Sequence, residues 1–153
     1  KAYGDLFIGC EFDEYGKENP QGFITRSIDN IKGIHFLVLD YDDGTSIIQT
    51  ENNIKDYSYL LHTSYNHQHL KNDIKCDRFR VIIPLQNEVT VSDFIARRDA
   101  LINMFPTVDK ASFSCSQGFF TPSKKSFDSI TYFNSNIGKK FDLLSLEATE
   151  HSD

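Results

Sequence analysis

The sequence predicts an α+β domain in which helices cover one face of a small sheet. Residues 34–42, IHFLVLDYD, form a continuous apolar run of strand length, which is typical of a strand inside a sheet. Residues 90–105, TVSDFIARRDALINMF, place apolar side chains at helical spacing and end before Pro106. Shorter alternating segments flank both elements, so strands and helices are mixed along the chain.

The first half of the chain predicts a β-hairpin, a strand and a helix. Residues 4–12 and 22–28 alternate apolar and polar side chains, and the segment between them is rich in turn formers, which predicts an N-terminal β-hairpin. The strand at 34–42 follows. Residues 45–57 predict a short helix that Thr45 or Ser46 caps.

The second half predicts further strands around the long helix. Pro84 is expected to end the strand in which it lies, because it has no amide hydrogen for the ladder. Ser92 is expected to cap the helix, and residues 147–153 are expected to form a frayed tail. The strands are predicted at residues 57–65, 78–86, 111–122 and 129–133.

Length and composition predict one soluble intracellular domain over residues 1–153. The chain begins at Lys1 rather than Met, so we expect a fragment of a longer protein. A net charge of -6 argues against bulk attraction to nucleic acid or to an anionic membrane. Three cysteines without a CxxC pair indicate reduced thiols and a cytoplasmic location. No apolar run has the length of a membrane span or the form of a signal peptide.

Acidic residues follow the long apolar run. Because side chains alternate along a strand, Asp40 and Asp42 are expected to leave the same face. Two neighbouring carboxylates need a cation, an arginine or a shared proton. Carboxylate oxygens suit Mg²⁺ or Mn²⁺ in phosphoryl transfer, whereas the alternative is that the acids only solvate the end of a loop. Asp43 and Gly44 are expected to form the turn.

Further polar side chains are expected beside these acids. Ser64 and His67 follow the predicted strand at 57–65, and Arg78 and Arg80 are expected on one side of the next strand. Asp109 follows the helix. Acids for metal ions, with arginine and histidine for phosphate oxygens, are what a nucleoside triphosphate requires.

These residues resemble a known family. The segments FLVLDYD, TSYNH and TVD, in this order, are similar to the three motifs of the archaeo-eukaryotic primase superfamily, in particular the primase-polymerases of phages, plasmids and other mobile elements. RFRVIIPL and VDKASFSCSQGFFTPS also look like this group. The resemblance covers roughly residues 33 to 125, and it implies a sheet related to the RNA-recognition motif, or palm-like, with helices on one side.

The resemblance also implies an activity, template-directed nucleotidyl transfer by a DNA primase or polymerase that uses two divalent ions, Mg²⁺ or Mn²⁺. Its implied partners are single-stranded or primed DNA, NTP or dNTP, and a helicase domain in the remainder of a longer replication protein. The implied metal ligands are Asp40, Asp42 and Asp109. The implied nucleotide contacts are Ser64, His67, Arg78, Arg80 and Lys124.

The chain departs from the family pattern at two positions and leaves one choice open. Tyr65 stands where the family has a small residue, and Gln117 stands where members often carry a phosphate-binding arginine. Lys110, Lys124 or Lys125 are possible substitutes for that arginine. Asp77 is a rival to Asp109 as the third acid.

Two other functions fit the same residues. His67 and His69 resemble the metal-binding pair of HUH endonucleases, but Gln68 stands where those enzymes have a bulky apolar residue, and the predicted long helix has no tyrosine. A non-catalytic module that binds nucleotide or nucleic acid is the other alternative. Phe119 and Phe120 are expected either to stack on a base or to fill the core.

Overall fold

The fold, seen in a computed structural model that describes residues 5–13 and 26–150, is built around a five-stranded sheet. In chain order the strands are β1 (Leu6–Phe7), β2 (Cys10–Phe12), β3 (Ile31–Tyr41), β4 (Tyr59–Thr63), β5 (Leu70–Lys71), β6 (Ile74–Lys75), β7 (Phe79–Val89), β8 (Phe119–Phe120) and β9 (Phe133–Asn136). The sheet has the order β2-β3-β7-β4-β9 with antiparallel pairing, while β1 pairs with β8 and β5 pairs with β6.

Three short helices cover one face of the sheet. They are α1 (Ile47–Asn53), α2 (Val91–Ala96) and α3 (Arg98–Met104), and turns of 3-10 helix occur at Ile28–Asn30, Lys110–Phe113 and Leu143–Ser145. Alternate residues of the central strands pack with these helices in a single core, for example Leu37, Leu39, Val81, Ile83, Phe94 and Leu101. The predicted α+β class is confirmed, and the residues between those alternate positions face away from the helices.

Helix α1 forms as predicted, and its Glu51 forms hydrogen bonds to residues at the β9 edge of the sheet. Ser46 is the N-cap, and its hydroxyl accepts the amide hydrogen of Gln49 at 3.1 Å. The Glu51 carboxylate accepts hydrogen bonds from the hydroxyls of Tyr59 and Tyr132 and from the Asn134 amide, at 2.9, 3.1 and 2.6 Å. Glu51 therefore connects α1 to β4 and to the edge strand β9.

The prediction that Pro84 ends its strand is wrong, because β7 continues to Val89. The ladder between β7 and β4 runs only from Phe79 to Ile82, so Pro84 lies beyond the part of the strand that bonds to β4. The Pro84 carbonyl accepts the amide hydrogen of Phe141 instead, at 2.9 Å. A proline at such a position removes no ladder hydrogen bond.

The predicted long helix is two helices, and Thr90 rather than Ser92 is the N-cap. The break lies at Arg97, whose guanidinium donates to the Asp93 carbonyl at 3.0 Å. In a continuous helix that carbonyl would accept the amide hydrogen of Arg97, which here bonds to Phe94 at 3.1 Å. The Arg97 side chain thus replaces the Arg97 amide as the donor to the Asp93 carbonyl, and α2 and α3 are separate helices.

The chain ends differ from the predictions as well. Residues 4–12 contain two strands that pair with β8 and β3, and residues 22–25 of the predicted hairpin lie outside the described residues. The strand predicted at 111–122 shortens to β8, and the strand predicted at 129–133 lies further along the chain, as β9, and shares only Phe133 with the prediction. In the tail, the Thr149 amide donates to the Ala96 carbonyl at 2.7 Å, so the tail is held against the protein there. Within the described ranges, no helix has the length and apolarity needed to cross a bilayer.

Candidate active site on the free face of the sheet

Three polar residues lie side by side across the three central strands. Asp40 of β3 is directly opposite Arg80 of β7, and Arg80 is directly opposite His62 of β4. Arg80 Nε lies 3.3 Å from Asp40 Oδ1. We call these three residues the sheet row. They lie on the face away from the helices, because their sequence neighbours Leu39, Val81 and Leu61 belong to the core.

The two-stranded ribbon of β1 and β8 covers the row. The Phe119 ring centroid lies 5.9 Å from the guanidinium carbon of Arg80, and the Phe7 ring meets the His62 ring edge-on at 6.1 Å. Arg80 Nη1 also donates to the Phe120 carbonyl at 2.9 Å. Burial increases along the row, since the Asp40 side chain is 22% exposed, that of Arg80 is 14% exposed and residue His62 is 4% exposed. Solvent therefore reaches the row from the Asp40 end.

Asp40 lies in a field of negative charge. Burial raises the pKa of its carboxyl, Arg80 opposes that shift, and the nearby carboxylates of Asp109 and Asp42 raise the pKa further. The Asp109 amide donates to the Asp40 carbonyl at 2.8 Å, and the Asp40 amide donates to Ser112 Oγ at 3.0 Å. These backbone contacts hold the 3-10 turn that Asp109 caps against the end of β3.

A second set of three residues, which we call the loop anchor, consists of Asp42, Arg78 and His67. Arg78 Nε lies 2.8 Å from Asp42 Oδ1, an ion pair whose geometry is not that of a hydrogen bond. Lys71 Nζ contacts the other carboxylate oxygen, Asp42 Oδ2, at 2.6 Å. Arg78 is 3% exposed. Its guanidinium donates to the carbonyls of Asn66, His69 and Ile74 at 3.0, 2.9 and 2.8 Å, and to the Lys71 carbonyl at 3.5 Å. Arg78 thus holds the loop between β4 and β7.

The histidine predicted for the site belongs to the loop anchor. His67 Nδ1 accepts the amide hydrogen of Arg78 at 3.1 Å, and the predicted Ser64 pairs through its own amide with the Arg78 carbonyl at 2.9 Å. Burial lowers the pKa of His67. The neutral ring therefore carries its hydrogen on Nε2.

Sequence reasoning missed His62, the histidine of the sheet row. Its Nδ1 lies 3.1 Å from the Thr63 carbonyl, which can only accept, so the ring hydrogen is on Nδ1. Burial and then Arg80 lower its pKa, which keeps the ring neutral. His62 Nε2 is a buried acceptor for which the described residues provide no donor. The alternation along β4 with Leu61 as a core position was the signal for His62, since it places this side chain on the face away from the helices.

The structure brings together some of the predicted residues and separates others. Asp109 lies beside Asp40, whereas the rival Asp77 accepts the amide hydrogen of Ile47 at 2.9 Å and so caps the start of α1. Lys124 lies in the exposed segment after β8, where its ammonium donates to the Phe127 carbonyl at 3.1 Å. No contact joins Lys124 to the sheet row among the described residues.

Carboxylate oxygens are suitable ligands for a divalent cation, but the acidic side chains of the described residues do not converge on one position in this structure. Among residues 5–13 and 26–150, no three His, Cys, Asp or Glu side chains converge as metal ligands. The Asp42 oxygens contact Arg78 and Lys71, and Asp40 contacts Arg80. Burial is the main cause of the raised pKa of Asp40; Arg80 opposes it, and Asp109 and Asp42 add to it. Hard carboxylate oxygens are the donors that Mg²⁺ and Mn²⁺ prefer.

Searches against protein-family models, curated proteins and solved structures found no protein that matches this chain.

Proposed function

We propose that the chain carries out template-directed nucleotidyl transfer, as a DNA primase or polymerase, at the solvent-open end of the sheet row. One observation supports this proposal most directly: Asp40 lies beside the guanidinium of Arg80, and the carboxylates of Asp109 and Asp42 are near enough to raise its pKa. Carboxylates and a guanidinium around one open position suit a nucleoside triphosphate and its cations.

Asp40, Asp42 and Asp109 would hold Mg²⁺ or Mn²⁺, with Asp42 exchanging Lys71 for the ion. Such an ion, when bound, supplies positive charge to the phosphate oxygens and lowers the pKa of the attacking hydroxyl. Arg80 is placed to bind a phosphate oxygen, because its Nη2 has no partner among the contacts of the row. The ribbon of β1 and β8 excludes water from the inner end of the row.

His62 rather than His67 is the histidine of this site. The hydrogen on its Nδ1 is already donated to Thr63, so Nε2 offers an acceptor and not a donor. This acceptor lies at the buried end of the row beneath Phe7, so a substrate hydroxyl would reach it only with the ribbon of β1 and β8 displaced. Substitution of His62 by Asn should therefore raise KM or lower kcat for nucleotide addition, while the same change at His67 should act through stability.

The test is extension of a labelled primer on a single-stranded template with Mn²⁺ or Mg²⁺ and all four nucleotides. The parent chain should extend the primer, and the double variant Asp40→Asn with Asp42→Asn should not. Asp43→Asn is the matched control, because Asp43 belongs to the same segment but binds the Thr45 amide in the turn, at 3.1 Å. Extension that survives in the double variant would disprove the metal-dependent mechanism.

One observation favours a second candidate, a non-catalytic module that binds nucleotide or nucleic acid. Both aspartates already have basic partners, as they would if their task were to orient arginines toward a ligand. This alternative predicts that the parent chain binds nucleotide without added metal and extends no primer. Calorimetry with ATP in the presence of EDTA separates the two candidates.

The HUH alternative gains no support from the geometry. His67 bonds to the Arg78 amide, whereas His69 Nε2 contacts Ser129 Oγ at 2.8 Å. The two rings thus engage different partners.

A further inference from the structure

The ribbon that covers the sheet row has a second side that faces solvent. Phe7 pairs with Phe119 across the ribbon, and both rings pack toward the row. The next pair, Leu6 and Phe120, alternates to the opposite side, where these side chains are 54% and 52% exposed. An exposed leucine and an exposed phenylalanine therefore lie next to each other on the outer surface.

A cation lies against the same outer side. The Arg26 guanidinium occupies the position that a Cβ atom of residue 118 would take, so only a glycine leaves room for it there. The Leu6 side chain lies 3.6 Å from that position, which places Arg26 on the side of Leu6 and Phe120. We call Leu6, Arg26, Gly118 and Phe120 the outer ribbon patch.

The size and chemistry of the patch fit one class of partner. Half of a phenylalanine side chain offers only roughly 100 Å² of contact. A stable protein partner needs about 800 Å² on each side, so two such residues are too few. An exposed ring and a guanidinium on the same side of the ribbon instead match an unpaired base and its phosphate, since every base has a face that stacks on an aromatic ring. In duplex DNA those base faces are covered by the neighbouring bases.

We propose that the outer ribbon patch binds single-stranded nucleic acid, with a base stacked on Phe120 and a phosphate at Arg26. The inference deepens the proposed function, on which it rests, because it gives the template strand a path past the sheet row. The two sites share β8: Arg80 of the row donates to the Phe120 carbonyl, and Phe119 packs on Arg80. A strand on the outer side is therefore separated from the row by one layer of backbone.

The test is the fluorescence anisotropy of a labelled oligothymidylate of roughly twelve nucleotides, titrated with the full chain in EDTA and without nucleotide. Phe120→Leu keeps an apolar side chain and removes the ring, so binding should weaken roughly 5-fold to 100-fold. Gly118→Ala keeps every charge but displaces the Arg26 guanidinium, and Arg26→Ala removes it. Both changes should reduce the slope of log affinity against log salt by about 0.7.

Phe127→Ala is the matched control. Phe127 is 95% exposed and has the Lys124 ammonium 5.1 Å from its ring centroid, so it is a second exposed pair of aromatic ring and cation. Its loss should leave oligothymidylate binding unchanged. Thermal unfolding of each variant verifies that the fold is retained, which is expected because these substitutions are at the surface or displace only a flexible side chain.

Three results would overturn the inference. They are parental affinity in Phe120→Leu and Gly118→Ala, equal weakening in Phe127→Ala, and tighter binding of a duplex of the same length. The double variant Asp40→Asn with Asp42→Asn separates this inference from the proposed function, because it should bind oligothymidylate normally while it fails to extend a primer. Parental binding without any extension would reject the proposed function alone.

Discussion

The sheet row and the loop anchor contain the same three residue types but differ in what satisfies them. In the loop anchor, main-chain groups use most of the polar capacity: four carbonyls accept from the Arg78 guanidinium, and the Arg78 amide donates to His67. In the sheet row, Arg80 has one carbonyl partner, and the Nε2 acceptor of His62 has no donor among the described residues. Residues that bind main chain hold a fold, whereas residues with remaining capacity can bind a ligand.

The largest expected difference between the two sets concerns their arginines. Arg78→Met should lower the free energy of unfolding by about 3–5 kcal/mol, because it leaves four carbonyls and Asp42 without their buried partner. Arg80→Met should cost only about 1–2 kcal/mol, since it loses one carbonyl bond and one longer ion pair. Urea unfolding of both variants measures the difference, and equal losses would contradict the distinction between anchor and row.

The histidines should give a smaller effect that depends on pH. Burial lowers the pKa of both His62 and His67, so the unfolded chain binds protons near pH 6.5 that the folded chain excludes. The stability that each neutral ring contributes is therefore present above pH 6.5 and is lost as pH falls through the lowered pKa. The slope should reach at most about 1.4 kcal/mol per pH unit for each histidine.

Urea unfolding between about pH 5 and pH 8 tests this slope. His62→Gln and His67→Gln should each reduce the slope of the free energy of unfolding against pH by the contribution of one histidine. An unchanged slope in either variant would show that the ring concerned binds protons equally in the folded and unfolded chain, which would contradict its lowered pKa.

The smallest effect on stability is expected at the aspartates. Asp42→Asn should cost about 1 kcal/mol, because Arg78 and Lys71 lose a charged partner at a site that is only partly buried. Asp40→Asn should change the free energy of unfolding by less than about 0.5 kcal/mol at pH 7, because burial and two nearby carboxylates already disfavour the Asp40 charge. A large loss in Asp40→Asn would assign Asp40 to the structure rather than to ligand binding.

The sequence predicted the local features of the fold and of the site. The apolar run that became β3, the Ser46 cap and the Asp43–Gly44 turn, where Gly44 has a φ of 101°, depend only on neighbouring residues. Alternation alone placed Asp40 with Asp42 and Arg78 with Arg80, and the structure adds the register that pairs Asp40 directly with Arg80.

Features that depend on distant partners were not predictable from the sequence. Pro84 is tolerated because the ladder between β4 and β7 does not reach it. At the helix break, the Arg97 side chain bonds to the Asp93 carbonyl. The sequence already favoured Asp109 over Asp77, but the backbone bond that brings Asp109 to Asp40 was visible only in the structure. His62 could not be preferred over His67 until the partner of each ring was known.

The contacts of Glu51 have a consequence for the colloidal behaviour of the protein. The edge strand β9 is attached at its side chains through Tyr132 and Asn134, both of which bond to this one carboxylate. If β9 detached, the main-chain groups of β4 would become a free sheet edge beside Leu60, which is 46% exposed, and such edges pair with other chains. The Glu51 contacts thereby help to keep the β4 edge covered by β9, which disfavours pairing of that edge with another chain.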